Sequence, residues 1–333
     1  MGDKVRMLRL LFDREIKKRR LAMNLASIPF AVLERRWLVS LLAGMGCLSG
    51  QSDAPIRIQV NVVNVLCTVY DSRRALVKDL AKDDFVIRED GKPREIRYFS
   101  RETGLPLTIA LLVDVSGSVR SFLQAEKDTA LQFFRGVLRP QDQAMLSGFS
   151  STVVLWQDFT PSVPLLGNAL LGMHALPFKG LPKDGGPMPT TLLYDAVSSA
   201  ATTKLQAVSG RKAMVIVSDG IDIGSRASLE TAVRQAQTAN AIVYSICYPN
   251  PHETGCGYLK SLSEPTGGRM FDLGSKTPLR EVFRIIEAEL RSQYSLGFVP
   301  SNAGRDGSFH KLQVRVRRNG LRVLAREGYY AGK

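Results

Sequence analysis

Leu107-Thr-Ile-Ala-Leu-Leu-Val113 runs directly into Asp114-Val-Ser116-Gly-Ser118, and the reading of this passage decides the fold. A continuous run of this kind, without apolar/polar alternation, reads as a strand covered on both faces, the condition of a parallel sheet flanked by helices. Working outward, Val119 to Leu138 has helical period, and Asp142 to Phe149 and Thr152 to Trp156 read as strands. Then come a helix over Leu192 to Leu205, a strand over Lys212 to Ser218, a helix over Ser228 to Ala239, a strand over Ala241 to Cys247 and a helix over Pro278 to Arg291. The alternation predicts a doubly wound α/β domain with a mostly parallel sheet over residues 106–292.

Both flanks read as β. Ile56 to Tyr70 has period-2 alternation with a slip near Val62-Val63, and Phe85 to Glu89 and Glu95 to Phe99 bracket Asp90-Gly91, a hairpin signal lengthened by Lys92-Pro93. After Tyr294 to Val299, the runs Phe309 to Arg318 and Leu321 to Ala325 enclose Asn319-Gly320, a second hairpin signal. Leu312, Val314 and Val316 share one face of that first run, while Lys311, Gln313, Arg315 and Arg317 share the solvated one. Neither flank holds enough strands to stand alone, so residues 54–105 and 293–333 are expected to pair into a small β-sandwich-like module with the α/β domain inserted between them.

The chain has 333 residues, 44% hydrophobic and 23% charged, which excludes disorder, collagen and coiled coil. No apolar stretch reaches the roughly 18 residues of a membrane span. The net charge of +14 lies at the two ends: residues 1–36 carry ten Lys/Arg against four Asp/Glu, and Arg291 onward carries nine against two. With no zinc-knuckle spacing or ribonucleoprotein aromatic motif beside that charge, nucleic acid is not the expected partner. The early basic run ends at Glu34-Arg35-Arg36, and an apolar dozen, Trp37 to Leu48, follows and closes on small residues, as in a signal peptide. Residues 1–53 are therefore expected to be a leader, with Met23 as an alternative start, and the rest exported to the periplasm, cell envelope or medium. Cys47 leaves lipid anchoring open, although the residues before it lack the usual branched aliphatic. In an exported protein Cys247 and Cys256 are either a disulfide or two thiols, and spacing does not decide between them.

The chemistry gathers at strand ends. In open α/β sheets ligands bind at the carboxyl ends of strands, where Asp114, Ser116 and Ser118 fall. A second acidic strand end is Val215-Ile-Val-Ser218-Asp219-Gly220, and between the two lies Thr190-Thr191-Leu-Leu-Tyr-Asp195-Ala at a helix entrance. Two carboxylates and three hydroxyls form an all-oxygen set, suited to a hard divalent cation and not to zinc or copper.

This three-part motif resembles the metal-ion-dependent adhesion site of von Willebrand factor type A domains, and the whole arrangement after residue 54 looks like the bacterial secreted VWFA-related proteins. The resemblance implies that Ser116, Ser118 and Thr191 donate oxygens to Mg²⁺ (or Mn²⁺ or Ca²⁺), with Asp114 and Asp219 binding it directly or through water. It also implies a protein partner whose Asp or Glu carboxylate completes the shell, and peripheral or lipid-anchored association with the envelope. Thr190 stands where relatives commonly have Gly, and Pro187 and Pro189 stiffen the approach, so Thr190 and Thr191 both remain candidates. A helix N-cap cluster would account for Asp114-x-Ser-x-Ser taken alone. Catalysis is not expected. A serine hydrolase would need Gly-x-Ser-x-Gly with a partnered His, where only His174, His252 and His310 occur, and a phosphotransferase built on Asp114 would carry a second acid where Ser116 stands. The alternatives to an adhesion or protein-interaction module are a Mg²⁺-dependent envelope hydrolase or phosphotransferase using Asp114, or a scaffold whose metal site is vestigial.

Overall fold

In the computed structural model the described residues are 62–102, 104–117, 120–175, 190–248, 255–275, 277–300 and 307–331, all within the unit that begins at Ile58. The leader with Cys47, the strand start at Ile56, and Ser118, Pro187, Pro189 and His252 lie outside them. Among the described residues the order is β1 (Val63–Tyr70), β2 (Phe85–Glu89), β3 (Lys92–Arg94), β4 (Ile96–Glu102), β5 (Leu107–Asp114), α1 (Arg120–Val137), β6 (Gln143–Phe149), β7 (Val153–Thr160), α2 (Val163–Gly172) and α3 (Leu193–Ser199). Then follow β8 (Arg211–Ser218), α4 (Leu229–Thr238), β9 (Ala241–Cys247), α5 (Cys256–Ser263), β10 (Met270–Asp272), α6 (Leu279–Leu290), β11 (Gln293–Phe298), β12 (Phe309–Val316), β13 (Arg322–Ala325) and β14 (Gly328–Tyr330).

Six strands form one sheet in the order β10-β9-β8-β5-β6-β7, parallel except for β7. Every residue of β5 is buried, and its alternation divides between two cores. Leu107, Ile109, Leu111 and Val113 pack with Phe133, Phe134, Val282 and Ile286 of α1 and α6, whereas Ala110 and Leu112 pack with Leu193, Ala232 and Leu259 of α3, α4 and α5. Double coverage is why this strand is apolar at both parities. Local signals set the helix ends: the Ser228 hydroxyl accepts from Thr231 N–H to start α4, and Asn240, left-handed at φ 54°, turns the chain from α4 into β9.

The flanks form two four-stranded antiparallel sheets, β13-β1-β11-β4 and β14-β12-β2-β3. Val65, Cys67, Val69, Phe85, Ile87, Tyr294, Leu296 and Phe298 share a core between them. Residues before β5 thus pair with residues after α6, as in Val65 opposite Leu296 and Ile87 opposite Val314.

The hairpin expected at Asp90-Gly91 forms with a different second arm, and the one expected at Asn319-Gly320 does not form. Glu95 to Phe99 does not pair with β2: Lys92–Arg94 does, and Ile96–Glu102 crosses to pair with β11. Nor do the arms around Asn319-Gly320 pair with each other, since β12 joins β2 and β14 while β13 joins β1. Asp90-Gly91 thus closes a hairpin with the short β3, and the chain crosses to the other sheet at Glu95, whereas Asn319-Gly320 is itself a corner between two stacked sheets, each of its arms pairing with a strand distant in sequence. The expected helix over Leu192 to Leu205 is α-helical only to Ser199 and then widens into a π-turn, Ala200–Lys204.

Candidate functional site

Asp114, 1% exposed, ends β5, and Ser218 ends β8 beside it. The Asp114 carboxylate accepts from Ser116 N–H at 2.9 Å through Oδ1 and from the Ser218 hydroxyl at 2.9 Å through Oδ2. Ser218 in turn accepts from Gly220 N–H at 3.0 Å, so its proton is directed at Asp114. Asp219, 4% exposed, follows at once and receives Ile221 N–H at 3.1 Å. Burial pushes the Asp114 carboxyl up to about 6, the bonds from Ser116 and Ser218 oppose this, and the Asp219 charge adds to the rise. No Lys or Arg pairs with Asp114 among the described residues.

The hydroxyl segment is brought to the same end by the loop that follows Asp219. Thr191 and Ile223 exchange backbone hydrogen bonds of 3.0 and 2.9 Å, and Leu192 N–H donates to the carbonyl of Ser150, just past β6. The first turn of α3 is held by the same loop: Tyr194 N–H donates to Asp222 Oδ1, Asp195 N–H donates to the Ser225 hydroxyl, and the Asp195 carboxylate accepts from Arg226 and Ala227 N–H. Thr190 packs its methyl toward Gly224, where an added Cβ would stand 3.0 Å from it. Asp114, Ser116, Thr191 and Asp219 therefore lie at one end of the six-stranded sheet, and Ser118 lies outside the described residues.

A covalent tie braces the Asp219 side. Cys247 is in register with Ser218 and is disulfide-bonded to Cys256 at the start of α5. Gly255 N–H donates to the Asp219 carbonyl at 2.8 Å, and Gly220, at φ 84°, approaches so closely that an added Cβ would lie 2.4 Å from the Gly255 carbonyl oxygen. Sequence reasoning left this pairing open and did not single out Ser218, Asp195 or Asp222. The signal for Ser218 was present, as a hydroxyl one residue before a strand-end acid and level with Asp114 in a parallel register.

The donor set fits a hard cation. Among the described residues no three His, Cys, Asp or Glu side chains cluster, so the site is two carboxylates supplemented by hydroxyls. Burying two like charges side by side is unfavourable unless something positive offsets them.

No family model matches the chain, and no curated protein does. Among solved structures it is similar to the conserved hypothetical protein BatB from Bacteroides thetaiotaomicron, at 12% identity over 55% of this chain and 97% of that one, with a TM-score of 0.45. It is also similar to the vWF domain of the type V pili tip protein Mfa5 from Porphyromonas gingivalis, at 11% over 56% and 95%, TM-score 0.44. A third is proximal thread matrix protein 1 from the mussel byssus with a zinc-occupied MIDAS motif, at 12% over 61% of this chain and 49% of that one, TM-score 0.45. The mostly parallel, helix-covered sheet with antiparallel sheets beside it is the α/β architecture expected from the sequence. At TM-scores below 0.5 none of these likenesses bears on function, and the site is judged on this chain's own residues.

Proposed function

We propose that this chain is an exported binding module that holds one divalent cation, Mg²⁺ or Mn²⁺ or Ca²⁺, at Asp114, Ser116, Ser118, Thr191 and Asp219, and captures a carboxylate of a protein partner there. The observation that carries this reading is the pair of buried carboxylates at adjacent strand ends, of which Asp114 meets only hydroxyl and amide donors and a second negative charge. Bound there, a cation supplies the missing positive charge and an oxygen-seeking position for an acidic side chain. The chain's own groups do the rest: Ser218 and Ser116 N–H orient Asp114, the 221–227 loop holds Thr191 in place, and the Cys247–Cys256 bond steadies the backbone beside Asp219. That bond also supports export, since disulfides persist in oxidising compartments.

Calorimetric titration of Mg²⁺ and Mn²⁺ into the full chain should give one site, lost in Asp219→Ala and weakened in Ser118→Ala. A pull-down from envelope extract should recover a partner in Mg²⁺ and not in EDTA, and Arg315→Gln on the solvated face of β12 with Arg317→Gln just past its end should leave it in place. Equal metal affinity in the Asp219 variant and the wild type would overturn the assignment. Partner capture that needs those two arginines and ignores EDTA would move the function to the antiparallel sheets.

A further inference from the structure

A cleft of about 1470 Å³ opens at the amino ends of β8 and β9, bordered by β1, α4 and β14. β8 runs seven residues on from it to the Asp219 end, roughly 20 Å at about 3.3 Å per residue, so it is separate from the metal site. Its described lining contains Arg211, Lys212, Arg234 and Arg326, and no Asp or Glu.

Two of these cations, Lys212 and Arg326, have no ion pair among the described residues. Lys212 is only 9% exposed, and among the described residues its ammonium has neither a hydrogen bond nor an ion pair. Burial holds its pKa below the ordinary lysine value, the signature of a charge without a counterion. Arg326 donates only to neutral acceptors, Asn240 Oδ1 and the Asn64 carbonyl, both at 2.7 Å; its Nε is buried without a partner, and its plane lies 5.7 Å from the Tyr329 ring centre. Buried charges are ordinarily paired. Lys212 of β8, whose side chain is largely buried, and the half-buried Arg326 of the β13–β14 turn line one cavity, larger than a typical small-molecule pocket, with no carboxylate in its described lining.

We propose that this cleft is a second binding site, for a small polyanion carrying two or more phosphate or carboxylate groups. Lys212 meets one group as a point charge, and Arg326, already oriented by Asn240 and Asn64, meets another through the Nη N–H groups that those two bonds leave unused. The volume exceeds what a single phosphate fills, which is why the ligand carries more than one anionic group.

The test uses the full chain without divalent cations, titrated by calorimetry with pyrophosphate and separately with citrate, each against sodium chloride of equal ionic strength. Saturable binding of one equivalent is expected, and the preferred probe separates phosphate from carboxylate ligands. Lys212→Met should weaken it by about tenfold or more while leaving the ligand-free melting temperature equal or higher, because it keeps the largely buried stem and removes a charge that has no counterion. Arg326→Gln should weaken it as well, and Arg315→Gln on β12 should not. Four results would overturn the proposal: no binding beyond the chloride control, unchanged affinity in the Lys212 variant, a lower ligand-free melting temperature in that variant, or tight binding of a short oligonucleotide where both small anions fail.

Discussion

Replacing Asp114 by Asn should make the metal-free protein more stable. Moving a carboxyl from its ordinary 3.8 to about 6 corresponds to about 3 kcal/mol at about 1.4 kcal/mol per pH unit. The sign follows from proton binding: the folded state holds this proton more tightly than the unfolded chain, so the contribution is full below about pH 4 and is lost as pH rises through about 6. Asn keeps an acceptor for Ser116 N–H but carries no charge, and its amide must meet the Ser218 hydroxyl that now donates to Asp114, a mismatch of about 1 kcal/mol. In EDTA, urea denaturation should therefore show the Asn variant slightly less stable than wild type at pH 4 and about 2 kcal/mol more stable at pH 7.5. Adding Mg²⁺ at about 100 times its dissociation constant should raise only the wild type, by about 2.7 kcal/mol, and reverse the order. An Asn variant less stable than wild type at pH 7.5 in EDTA, or parallel pH profiles, would refute the view of Asp114 as an uncompensated buried charge.

Breaking the Cys247–Cys256 bond by the double change to Ser should cost about 2 to 3 kcal/mol from the short loop it closes, read from denaturation midpoints, and should weaken Mg²⁺ binding by loosening the backbone at Asp219. Non-reducing peptide mapping of the purified chain should recover the two cysteines as one linked pair, with Cys67 free. Gly220→Ala should lower both the melting temperature and metal affinity, because its Cβ meets the Gly255 carbonyl at 2.4 Å in a left-handed backbone conformation. Tyr329→Phe should cost about 1 to 3 kcal/mol by thermal denaturation, since its hydroxyl donates to buried Glu89 at 2.6 Å.

Much of the fold was legible because its determinants are local. The unbroken apolar run of β5 announces double coverage, the alternation of β12 announces a half-solvated sheet, and Ser228 announces the start of α4. The acids that end β5 and β8 were legible for the same reason, as polar residues at the point where a buried strand must stop.

Asn319-Gly320 shows where such reading ends. The dipeptide determines that the chain turns, with Gly320 at φ 75°, but not whether the two arms then pair. That choice depends on which strands have unpaired edges: β1 was open to β13 and β2 to β12, so the turn became a corner between sheets. The bond from Ser218 to Asp114 joins residues 104 apart, and the cleft collects Lys212 from β8 and Arg326 from the β13–β14 turn. The sequence by itself determined which residues are strand, helix and strand-end acid, because burial pattern and turn chemistry act over a few neighbouring positions. Tertiary structure alone decided strand partners, the Cys247–Cys256 tie and which buried charges share a space, because those depend on the free energy of contacts between segments far apart along the chain.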